Sequence, residues 1–210
     1  MRLKAPDKRE RILDSAVRVF AREGFFKARV SQIAEDAGLA PGTVYLYFKN
    51  KEDVLISIFE TRMEDIVSRF RAAVLEKDDA RSQLGSLVGM HLSNFQENPD
   101  LAACFQVELR QSSRFMRQVK GGLQQYLNLI REIVAKGRRE GSFRSGISAG
   151  LVTHFIFGTL DEVVSTWVMS GMKYNLVSFA DQLVDLFVNG IGPGTDAGAG
   201  AGLGAGDRVK

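Results

Sequence analysis

The 210-residue sequence predicts an all-α protein, and three observations carry that prediction. Apolar residues recur at helical spacing along most of the chain. No segment shows the apolar–polar alternation of a sheet, and Pro6, Pro41 and Pro99 each fall at or near the start of a helical pattern. The first helix is expected over about 7–23, with Ile12, Leu13, Ala16, Val19 and Phe20 on one face and Gly24 as its stop. A helix of barely two turns follows over Val30 to Gly38, with Ser31 as its expected cap. A third begins at Pro41, where a missing N–H is harmless and φ is already helical. Asn50 is suited to cap the fourth, with Asp53 three residues on in a box-like arrangement, and the pattern runs to about Lys77. Further helices are expected near 80–96, 100–112, 114–140, 147–171 and 175–190. Gly192 to Gly206 holds seven glycines in fifteen residues, too little apolar material to fold, so 192–210 is expected to be a flexible tail.

Composition narrows the classes. The chain is 45% hydrophobic and 25% charged, ordinary for a water-soluble domain. Its single cysteine, Cys104, allows no intrachain disulfide and no cysteine-based zinc site, which favours a cytoplasmic setting. The longest charge-free run, Ser145 to Leu160, is too short to cross a bilayer comfortably, and the basic start leads into the charged run 7–11 instead of an apolar signal segment. No membrane association is expected. Net charge is +3, and its placement matters more than its size. Residues 1–50 carry ten Lys/Arg against six Asp/Glu, while the remainder carries 18 against 19. The positive excess therefore sits where it can follow a phosphate backbone.

Two short helices joined by Gly38-Leu39-Ala40 on this basic segment fit a helix-turn-helix with the second helix as reader. Ile33, Ala34, Ala37, Val44 and Phe48 can close an apolar seam under the first helix, leaving Thr43, Tyr45, Tyr47 and Lys49 outside. Gly42 permits close approach of a duplex, Thr43 suits base edges, and Tyr45, Tyr47 and Lys51 have the reach and donors for phosphates. A small three-helix cap with packed tyrosines and solvated lysines satisfies the same pattern.

The strings Val30-Ser31-Gln32-Ile33-Ala34, Ala37-Gly38-Leu39 and Gly42-Thr43-Val44-Tyr45-Leu46-Tyr47-Phe48-Lys49-Asn50-Lys51-Glu52-Asp53-Val54-Leu55 closely resemble the DNA-binding domain of TetR-type transcriptional repressors over residues 10–56. The resemblance implies a homodimer with a three-helix DNA-binding domain in residues 1–50 and a six-helix ligand-binding and dimerisation domain in 51–191. It places DNA contacts to a double-stranded palindromic operator on Ser31, Gly42, Thr43, Tyr45, Tyr47 and Lys51. One departure is Ala40, where many relatives carry a Ser or Thr cap. The strings Gln106 to Ser112, Ile156 to Val164, Thr166 to Met169 and Lys173 to Val177 look like the branch that controls fatty-acid degradation, which implies a long-chain acyl-CoA as effector. The alternative is a TetR-type regulator of efflux or other metabolism that senses a cationic, drug-like ligand.

An acyl-CoA needs an apolar tunnel and cations at its mouth. Phe105, Leu109, Tyr126, Ile130, Phe155 and Trp167 are the tunnel candidates, although large apolar side chains serve equally as plain core. Arg110, Arg114, Arg117 and Lys120 recur at spacings that place much of the stripe on one face. Arg110 and Arg114 are the candidate phosphate ligands, against the reading of a solvated basic face. Lys136, Arg138 and Arg139 suit a helix C-terminus, and Asp161 and Glu162 are expected to be solvated or paired. His91 and His154 are isolated and read as packing or surface positions, so neither a metal site nor a catalytic group is expected. The apolar residues of 152–164 and 176–191, Phe155, Val163, Phe179 and Leu186 among them, cover more circumference than one partner helix can bury. Two copies forming a four-helix interface account for them.

Overall fold

In a computed structural model the described residues are 7–108 and 120–191, and among them every regular element is helical. Helix α1 spans Lys8–Glu23, α2 Val30–Asp36, α3 Pro41–Val44, α4 Lys51–Leu75 and α5 Ala80–Glu97. α6 spans Pro99–Ala103 and runs on as a π-helical turn, Cys104–Glu108. α7 spans Lys120–Arg139, α8 Ala149–Met169 and, after a 3-10 turn at Leu176–Phe179, α9 spans Ala180–Ile191. None of these helices is long and apolar enough to cross a membrane.

The start of α4 follows the sequence closely. Asn50 Oδ1 accepts from the Asp53 amide at 2.8 Å, and Asp53 Oδ2 accepts from the Lys49 amide at 2.9 Å, so two otherwise orphaned donors are satisfied. The start of α2 does not. Its cap is Arg29, whose amide donates to Gln32 Oε1 at 2.8 Å, and Ser31 lies exposed within the first turn. A reaching Gln three positions on outcompetes the serine expected to cap. Toward the other end, the helix expected over 100–112 breaks its α pattern at Cys104, and that expected over 175–190 divides into a 3-10 turn and α9. The part of the former beyond 108, and the tail expected over 192–210, lie outside the described residues.

One continuous core runs from Ile12 in α1 to Phe187 in α9. α1 lies across α2, α4 and α6. α7 packs against α4, α5 and α8, and α9 packs on α5. α4 is the common member, with its buried stripe passing from Val54 through Ile58, Met63 and Phe70 to Val74. The α4–α7 crossing is close. A Cβ added at Gly122 would lie 2.6 Å from Met63 Cβ, nearer than side-chain atoms tolerate.

Candidate functional site

The N-terminal head is built around the α2–α3 turn. Gly38 takes the left-handed φ of +62° there, and the Leu39 amide returns to the Ala34 carbonyl at 2.8 Å, closing the end of α2. Ile33, Ala34, Ala37, Val44 and Phe48 are buried beneath α1 as the spacing requires. Opposite them lie Ser31, Gly42, Tyr45 and Tyr47, all exposed, with Thr43 half-buried. A Cβ at Gly42 would meet nothing within 4 Å, so the protein's own packing does not require glycine at this position. Leu46 is 81% exposed, an apolar side chain on the same outward surface.

Lys51 is placed differently from the phosphate role expected of it. Its ammonium donates to the carbonyls of Phe25 at 2.7 Å, Phe26 at 2.9 Å and Ala28 at 3.3 Å, and lies 4.6 Å from the centre of the Phe25 ring. Three donors meeting three carbonyls leave no N–H for a fourth acceptor. Lys51 ties the start of α4 to the α1–α2 loop. A second tie lies about three turns further along α4, where Arg62 donates to Glu10 at 2.6 Å and Asp14 at 2.5 Å of α1. Arg62 stands in a polar cleft of about 740 Å³ between the head and the rest of the chain.

Inside the C-terminal part lies a mainly apolar cavity of about 120 Å³. Phe59, Met63 and Ile66 of α4 form one wall, Phe95 of α5 and Phe105 of the π turn a second, and Leu123 of α7 and Phe157 of α8 complete the apolar lining. Four polar side chains interrupt it, namely His91, Gln106, Tyr126 and Asp161. His91 Nδ1 and the Tyr126 hydroxyl are 2.8 Å apart, and Gln106 Nε2 donates to Asp161 Oδ1 at 2.9 Å. Burial lowers the His91 pKa to about 4, with the Asp161 charge opposing, so the ring is neutral at pH 7. Burial likewise raises the Tyr126 phenol, aided by Asp161, and keeps its proton in place. His91 Nε2 has no hydrogen-bond partner among the described residues.

Of the tunnel candidates, Phe105 and Tyr126 line this cavity. Ile130 is fully buried in the helical core and forms no part of the wall. Trp167 is buried too, but its indole N–H donates to the Tyr174 carbonyl at 2.8 Å, closing the end of α8. Phe155 is 44% exposed on the outer face of α8, its ring 5.6 Å from that of Phe187. Helical spacing cannot tell which of two apolar faces meets a cavity and which meets another helix, so these three were indistinguishable from true lining. Leu109, Arg110 and Arg114 lie outside the described residues. The sequence reading missed the α4 wall, whose signal is the i, i+4, i+7 spacing of Phe59, Met63 and Ile66, and missed His91, whose partner is 35 residues away. Asp161, expected to be solvated or paired, accepts from Gln106 at the cavity.

Residues 12–58 match the family of bacterial regulatory proteins called the tetR family, and residues 59–190 match the family of the YsiA-like protein C-terminal region. The chain belongs to the tetR family. It is 41% identical over 192 residues to the fatty acid metabolism regulator protein of Bacillus subtilis, covering 91% of this chain and 98% of that one. Among tetR-family structures, the fatty acid degradation regulator FadR from Bacillus halodurans superposes with a TM-score of 0.85 at 41% identity, covering 89% of this chain and 97% of its own. FadR from Bacillus subtilis in complex with stearoyl-CoA gives 0.83 at 40% identity, covering 87% and 98%. All three relatives are named as regulators.

Proposed function

We propose that this chain is a homodimeric transcriptional repressor of fatty-acid degradation genes, released from a palindromic operator by a long-chain acyl-CoA. The observation that carries this reading is the shared use of α4. Phe59, Met63 and Ile66 wall the apolar cavity, while Lys51 and Arg62 of the same helix hold the head. An apolar cavity of about 150 Å³ takes up a single benzene ring. At about 120 Å³ this one holds only part of a long acyl chain, so the rest enters by displacing wall side chains, those of α4 included. Moving α4 moves the head through its two ties. Two heads must match half-sites one turn of duplex apart, or a multiple of it, so a change in their spacing loosens both. Near-complete release needs about 5.5 kcal/mol of ligand preference for the released state.

In this reading Gly42, Thr43, Tyr45 and Tyr47 face the duplex, with Ser31 beside them. Arg110 and Arg114 take the CoA phosphates, and α8 and α9 form the dimer interface. The last assignment is supported by the outward apolar side chains Phe155, Phe179 and Leu186, the last 54% exposed, with half-buried Val163 between the two helices. The stearoyl-CoA held by the Bacillus subtilis relative supports the ligand class. A competing reading, a sensor of cationic drug-like molecules, draws on Asp161 at the cavity. Operator release followed by fluorescence anisotropy separates the two. Stearoyl-CoA is expected to release the protein, while the free acid, CoA alone and a cationic dye leave it bound. Release by the dye and not by stearoyl-CoA replaces the lipid reading with the other.

A further inference from the structure

The cavity lining is apolar except for four side chains, and their hydrogen-bonding groups are unequally satisfied. Gln106 donates to Asp161, and Tyr126 is matched to His91 Nδ1. His91 Nε2 remains, buried and without a partner among the described residues. The tautomer follows from counting protons. If Nδ1 carried the proton and donated to the Tyr126 oxygen, both the Tyr126 hydroxyl hydrogen and the Nε2 lone pair would lack partners. If Tyr126 donates to Nδ1, a single group is left over, an Nε2–H donor. The neutral ring has one proton to place, and Nε2 is where the smaller deficit puts it. A buried N–H kept without an acceptor is a standing loss to the folded protein, removed when a ligand supplies an oxygen.

An acyl-CoA offers few candidates inside an apolar tunnel. Its hydrocarbon chain has none, and its phosphates and amides belong to the polar part of the molecule. The oxygen that travels with the chain is the thioester carbonyl, which only accepts. We propose that His91, through Nε2–H, takes the thioester carbonyl oxygen of the acyl-CoA, so that the cavity reads the acyl linkage as well as the chain. This rests on the acyl-CoA reading given above. His91 is then a specificity residue and Tyr126 its positioning residue, since the hydroxyl fixes both the ring and the nitrogen that bears the proton. A saturated chain alone would bury the same N–H unmatched, and a polar group left unmatched discriminates far more strongly than a missing methylene does.

The test compares stearoyl-CoA with S-octadecyl-CoA, a thioether of the same chain length that lacks the carbonyl, by calorimetric titration of the full-length protein. The wild type is expected to bind the thioester about tenfold or more tightly than the thioether. In His91→Phe that preference should vanish or reverse, with thioether affinity retained. Tyr126→Phe should narrow the preference without abolishing it. Equal wild-type affinity for both ligands overturns the inference while leaving the acyl-CoA reading intact, and a preference that survives in His91→Phe overturns the assignment to His91. If neither ligand binds, the acyl-CoA reading falls and the inference with it. The wild-type comparison stands even if His91→Phe does not fold.

Discussion

The head and the core of this molecule are built from the same kind of element but balanced in opposite ways. In the head, Ile33, Ala34, Val44 and Phe48 are buried to completion, the end of α2 is closed by a glycine, and Lys51 saturates the carbonyls of a loop. The core keeps a cavity, and one of its lining residues, His91, has a buried ring nitrogen without a partner among the described residues. The head is a finished shape whose outer face alone has anything left to bind, whereas the core is unfinished on the inside. In the function proposed above, a duplex meets a preformed surface and a ligand completes an interior. Both are joined by α4, so completing one can reposition the other.

The sharpest way to break that comparison is at Gly42, which is exposed, with no internal neighbour for a Cβ. Gly42→Leu should leave the thermal midpoint unchanged or slightly raised, because glycine in a helix is less favourable by about 1 kcal/mol than alanine. Operator affinity measured by gel shift should nevertheless fall about 100-fold, near 3 kcal/mol, if a duplex approaches that backbone. A loss of stability in place of affinity would make the position structural.

Next comes the unmatched donor. The His91 pKa is lowered from 6.5 to about 4 by burial, so the unfolded chain takes up a proton before the folded one does. That contribution to stability is whole above pH 6.5 and is lost as pH falls toward 4. Between pH 7 and pH 5 urea unfolding should show a loss of roughly 2 kcal/mol from this ring. Carboxylates add losses of their own at lower pH, so the quantity to measure is the difference from His91→Phe, which lacks this limb.

Gly122→Ala presses on α4 directly, at Met63, without any ligand. With its Cβ 2.6 Å from Met63 Cβ, relief requires a backbone shift, and overpacking of this kind is strained by about 1–3 kcal/mol. Operator affinity without any ligand should drop about tenfold, and an unchanged affinity would show that α4 displacement does not reach the head. The smallest effect belongs to Arg62→Ala. Its partners Glu10 and Asp14 are partly exposed, so the stability lost should be below about 1 kcal/mol. Its ligand-induced release should weaken more noticeably, because one of the two ties is gone.

Legibility in the sequence divides along the same line. The head is local. Asn50 and Asp53, Gly38, and the seam from Ile33 to Phe48 all act within a few residues of one another, so spacing alone placed them. Where the head depends on distance, spacing is silent, as with Lys51, whose carbonyl partners lie 23 to 26 residues earlier. The cavity wall is assembled from five elements, and which face of each looks inward is decided by neighbours far along the chain. Phe105 and Tyr126 were found there beside Ile130, Phe155 and Trp167, which do other things. His91 reads as a packing or surface position because its pairing with Tyr126 is a relation across 35 residues, not a property of its own stretch of sequence.

The Lys51 clip also bears on how salt acts on this protein. Counting Lys and Arg in the first 51 residues overstates how many condensed ions a duplex releases on binding, since an ammonium already surrounded by carbonyls displaces none. Lys27, Arg29 and Lys49 of the same segment are exposed cations, and the exponent relating affinity to salt concentration is expected to follow such groups. Lys51→Met should therefore lower operator affinity by a similar factor at every ionic strength, whereas Lys49→Met should flatten the line by about one ion.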